Sequence, residues 1–107
     1  MANKFFPVSI DLNDKNILVI GAGKISLRKI ETLLKYNCNI TVITKEVLEE
    51  KFFDLEKDDK IKILKNQEFE EKFLENIFLV IAATDDEVLN KNISQLCMSK
   101  NILVNNI

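Results

Sequence analysis

Both glycines of this 107-residue chain fall in one stretch, NILVIGAGKISLRK, residues 16–29. A continuous apolar run leads directly into Gly21 and Gly23, and a helical apolar pattern starts immediately after them. A buried strand must therefore turn into a covering helix within a few residues, and glycine is the residue that permits such a turn. That junction restricts the chain to folds in which strands feed helices packed back on the same sheet.

The rest of the chain repeats this alternation. Short apolar runs occur at 17–20, 40–43, 61–64, 77–82 and 102–104. Most are continuous, as expected of strands buried on both faces of a parallel sheet. Between them, Leu27, Ile30, Leu33 and Leu34 form one helical stripe, Leu48, Phe52 and Leu55 a second, and Leu89, Ile93, Leu96 and Cys97 a third. Phe69 and Phe73, four apart, suggest one or two helical turns within 66–75. The expected architecture is α/β, a Rossmann-like doubly wound parallel sheet of five strands in the order 3-2-1-4-5 with helices on both faces. No repeat, linker or composition break divides residues 1–107, so they read as one domain, which ends on a fifth strand as if part of something longer.

The glycine stretch has chemistry as well as geometry. In G-x-G-x-x-G loops the first glycine makes the turn, and the second clears space for a pyrophosphate at the helix N-terminus. The third position sets how closely helix and strand approach, and here it holds Ser26. The cofactor-binding candidates from the motif are therefore Gly21 and Gly23, with the free N–H groups at the helix start that follows. Strand two ends in VITKEV, without the usual acid for an adenosine ribose. Thr44, Lys45 and Glu46 occupy that corner, Lys45 as a phosphate contact and Thr44 or Glu46 as a ribose contact, and the choice between NAD and NADP stays open.

After strand four, AATDDEVLN at 82–90 puts small residues beside the crevice of such a sheet and offers Thr84 to the cofactor. The spacing of Thr84 and Glu87 also predicts a capping box, with Asp85 and Asp86 favouring a first helical turn.

Composition removes other classes. A net charge of −2 gives no basic field for nucleic acid. The longest apolar run is far too short to span a bilayer, and no secretory leader is visible, which suggests the cytoplasm. The chain has no histidine, and Cys38 and Cys97 lack C-x-x-C spacing, so no metal site is expected and neither thiol has a histidine base. Both cysteines read as small core or half-buried residues.

Taken together and in order, FFPVSIDL, ILVIGAGKISLRKIETLL, ITVIT, FLVIAATDDEVLN and ILVN resemble the NAD-binding domain of the siroheme synthase family, the precorrin-2 dehydrogenases, over essentially the whole chain. The resemblance implies oxidation of precorrin-2 to sirohydrochlorin with NAD, on the way to siroheme or cobalamin, in a full-length homodimer. It places cofactor contacts at Gly21, Gly23, Lys24, Ile25, Thr44, Lys45, Glu46 and Thr84. The family's catalytic aspartate would fall immediately after Ile107, with Asn105 matching the asparagine that precedes it and Asn106 polar where the family has an apolar residue. No catalytic residue is assigned within the chain. Two other readings compete: a nucleotide-sensing regulatory domain of the potassium-transport type, against which Ser26 and Thr44 count, and a scaffold domain with an empty site.

Overall fold

The computed structural model describes Lys4 and residues 8–106. Phe5, Phe6 and Pro7, the aromatic-proline opening, and Ile107 lie outside the described residues. Five strands, β1 (Asn16–Ile20), β2 (Asn39–Ile43), β3 (Lys62–Leu64), β4 (Leu79–Ala82) and β5 (Leu103–Asn106), form one sheet in the order β3-β2-β1-β4-β5. Every neighbouring pair is parallel. Three α-helices, α1 (Lys24–Leu33), α2 (Lys51–Lys57) and α3 (Glu87–Ser99), and a short 3-10 turn at Glu71–Leu74 make the connections.

Why the apolar runs are continuous is visible in β1, whose residues alternate between two cores. Ile17 and Val19 pack with Ile30 and Leu33 of α1 and Phe52 and Leu55 of α2. Leu18 and Ile20 face the opposite layer, with Leu74 of the 3-10 turn and Ile93 and Cys97 of α3. From Ile17 to Ile20 the central strand is thus apolar at every step because neither face reaches water. Exposed positions return at the first residues of β1 and β2, at Lys62 on β3 and through most of β5. Cys97 is buried and Cys38 half-buried, as expected of small apolar residues. Burial raises both thiols above their ordinary pKa, in Cys38 against the opposing effect of a backbone hydrogen bond.

The second apolar stripe departs from expectation. Phe52 and Leu55 lie on α2, but Leu48 precedes the helix and is 61% exposed. Its N–H donates to the carbonyl of Ala22 at 3.0 Å, which ties the segment after β2 to the glycine loop. A long-range backbone bond has replaced the local helical one, so the i, i+4 spacing of Leu48 and Phe52 was not a helix signal.

Phe52 is fully buried beneath the β1–β2–β3 side of the sheet. Phe52→Ala should lower stability by about 3–5 kcal/mol through lost burial and a cavity, measured by urea unfolding.

Candidate functional site

β1 is the central strand, with β2 on one side and β4 on the other. The chain's connections leave β1 towards opposite edges, which opens a crevice at the strand C-termini where doubly wound sheets take their ligands. A cleft of about 970 Å³ occupies this position. Its floor is Gly21 to Ile25, one wall is Thr44, Lys45, Glu46 and Leu48, and the other is Ala83, Thr84 and Asp85. Gln67, Glu68 and Phe69 close the β2 side. All eight residues singled out in the sequence line this one cleft.

The two glycines do different work. Gly21 has φ +104°, and a Cβ on it would lie 2.5 Å from the carbonyl oxygen of Ala83. Both the turn and the approach of the β4 segment therefore require glycine. Gly23 is extended, with φ −107° and ψ −166°, a conformation open to any residue. A Cβ there would meet only Leu48 Cδ1, at 3.9 Å. The fold does not demand glycine at 23; what its missing side chain leaves open is the floor of the cleft.

Gly23 is the N-cap of α1 and supplies no side-chain cap, and no acid occupies the first turn. The amides of that turn are left for an incoming acceptor, reinforced by the positive end of the helix dipole. Ser26, in the place of a third glycine, is completely buried, and its hydroxyl donates to the Gly21 carbonyl at 2.7 Å. The serine fits because its hydrogen bond holds the turn that a glycine would only have permitted.

The flanking hydroxyls are committed within the protein. Thr44 Oγ1 donates to the Glu46 carbonyl at 2.6 Å and accepts from the Glu46 N–H at 3.2 Å. Lys45 pairs with Glu68 at 3.0 Å. On the other wall, Thr84 Oγ1 donates to Asn90 Oδ1 at 2.6 Å, and the same oxygen accepts the Thr84 N–H at 3.1 Å. Asn90 Nδ2 in turn donates to the Thr84 carbonyl at 2.9 Å.

The capping box expected between Thr84 and Glu87 does not form. Asp86 is the N-cap of α3, and its carboxylate accepts from the Leu89 N–H at 3.1 Å. Thr84 lies two residues ahead of that cap, where its hydroxyl accepts from the Asp86 N–H and is drawn to Asn90. Asn90, 3% exposed, is the functional-region residue that sequence reasoning missed. Its signal was its place on the buried face of α3 with Ile93 and Cys97, at the end of the AATDDEVLN segment. Leu48, Gln67, Glu68 and Phe69 also reach the cleft from segments that carry no motif.

A parallel sheet with a glycine turn, an uncapped helix start and an open crevice at the strand reversal defines a dinucleotide-binding domain of the Rossmann type. A family model described as "Putative NAD(P)-binding" matches residues 8–107, and the chain belongs to that family. Siroheme synthase of Mannheimia succiniciproducens is 42% identical over 101 residues, covering 94% of this chain and 21% of that protein. Siroheme synthase of Buchnera aphidicola is 43% identical with the same coverage. Among solved structures, SirC, precorrin-2 dehydrogenase, superposes with a TM-score of 0.82 at 28% identity, covering 94% of this chain and 48% of SirC. The chain thus spans about a fifth of the length of these siroheme synthases and about half of SirC.

Two substitutions test how the site is built. Gly21→Ala should cost on the order of 3 kcal/mol, from the strained turn and the clash with Ala83, read as a fall in the urea midpoint. Asn90→Ala should cost about 1–3 kcal/mol by stripping partners from Thr84, and amide exchange should accelerate selectively around residues 83–86.

Proposed function

We propose that this chain, residues 1–107, supplies the NAD-binding domain of a longer enzyme that oxidises precorrin-2 to sirohydrochlorin. The observation that carries the reading is Gly23: the backbone there accepts any residue, yet the missing side chain keeps the floor of the cleft clear beside an uncapped helix terminus. Membership of an NAD(P)-binding family and similarity to siroheme synthases and to SirC support the same activity.

In this reading the first-turn amides of α1, with Lys24 and Ile25, hold the pyrophosphate, Gly21 makes the turn beneath it and Gly23 lets it approach the backbone. The residues present fit that role, because a Cβ at Gly23 would encroach on the cleft and meet nothing of the protein nearer than 3.9 Å. Thr44, Lys45 and Glu46 border the adenosine half. Thr84, braced by Asn90, borders the nicotinamide half and shapes that wall without a hydroxyl to spare. NAD held there would supply the hydride acceptor for oxidation of the tetrapyrrole. The chain's own residues bind and orient the cofactor; the base and the tetrapyrrole pocket belong to the remainder of the enzyme, which we place in the cytoplasm as a homodimer. Among the described residues no helix is long and apolar enough to cross a membrane.

Calorimetric titration of the chain with NAD, NADH and NADP, with ATP as control, tests the reading. Gly23→Asp sets a carboxylate against the pyrophosphate in space the fold leaves free. It should weaken NAD binding about a hundredfold, or roughly 2.7 kcal/mol, with an unchanged circular dichroism spectrum. Unaltered NAD affinity in this variant would refute the site.

A further inference from the structure

The corner after β2 lacks the carboxylate that commonly holds the adenosine ribose. Thr44 takes its place, 7% exposed, with its hydroxyl spent on the backbone of Glu46. Its main chain is equally engaged, the N–H donating to the Leu64 carbonyl at 3.1 Å and the carbonyl accepting from the Gln67 N–H at 3.1 Å. Asn66, at φ +56°, makes the left-handed turn that returns the chain after β3 to this corner, a conformation asparagine tolerates well. These bonds seat the backbone of Gln67 and Glu68 against the end of β2. Lys45 and Glu68 meet there at 3.0 Å, with Glu46 adjacent on the same wall of the cleft.

Three charged groups therefore stand where the ribose of a dinucleotide would be read, one cationic and two anionic. We infer that Glu68, by holding Lys45, makes this corner select NAD over NADP, so that a residue on the loop after β3 supplies the specificity that dinucleotide folds commonly assign to the end of β2. The inference rests on the cleft being an NAD site. An unmodified ribose is neutral and finds carboxylate acceptors in Glu46 and Glu68. A 2′-phosphate carries close to two negative charges. To reach Lys45 it must displace one carboxylate while lying beside another. Removing the charge of Glu68 frees Lys45 as the cation that NADP sites use. Both side chains are largely exposed, so the effect is moderate and salt-sensitive.

The test compares the wild-type chain with Glu68→Gln and with Glu68→Gln combined with Lys45→Ala, each titrated with NAD and with NADP at low and high ionic strength. In Glu68→Gln the ratio of affinities should move towards NADP by about fivefold at low salt, with a smaller shift at high salt. Adding Lys45→Ala should cancel the shift, since the two positions act as a coupled pair. A ratio unchanged within about twofold, or a shift that persists without Lys45, overturns the assignment while leaving the NAD site standing. Failure of the wild-type chain to bind either dinucleotide overturns both.

Discussion

The carbonyl of Ala83 lies against Gly21 at a distance no side chain could share, and the geometry of the cleft follows from that contact. Around it the ends of three strands are laced together. The Gly21 N–H donates to Ile43 at the end of β2, the Ala83 N–H donates to Ile20 at the end of β1, and the Ser26 hydroxyl closes back on the Gly21 carbonyl. Because β1 turns so sharply, α1 begins directly above the sheet with its amide end directed at the crevice. A side chain at position 21 would push β4 away from β1 and separate the two walls that a dinucleotide has to bridge.

The polar residues around this junction serve mainly to hold the walls. Thr44 braces the β2 corner through Glu46, and Thr84 is gripped by Asn90 on three sides. Such internally satisfied groups rigidify a site at low dielectric, where an unpaired hydroxyl or amide would be costly. What the cleft offers a ligand is then a helix terminus, apolar surface from Ile25, Leu48 and Phe69, and a few charges of which the Lys45–Glu68 pair is the most defined. In the proposed reading affinity comes from the glycine loop and selectivity from the corner.

Much of this was legible before the structure, and the exceptions share a cause. The five apolar runs became the five strands, shifted by at most two residues at either end, and in the inner strands burial on both faces leaves little freedom for polar residues. The fingerprint, the corner after β2 and the segment after β4 all converged on one cleft. Leu48 failed as a helical residue because its N–H bonds to Ala22, far away in sequence. Thr84 failed as a helix cap because its hydroxyl accepts from the Asp86 N–H and is oriented by donating to Asn90, about one turn into α3, while Asp86 caps the helix. In both cases a local pattern met a partner that local reasoning has no means to see.

The sequence by itself determined the alternation of strands and helices, the end of the sheet at which the cleft opens, and the glycine turn into α1. These depend on periodicity and on backbone freedom, which neighbouring residues impose on one another. Only the tertiary structure decided that Gly21 serves the fold while Gly23 serves the cleft. It alone turned the two threonine hydroxyls into braces and brought Glu68 across from another loop to Lys45. Those distinctions depend on which atoms meet across the sheet, and residues far apart in the chain acquire that relation only when the strands pair.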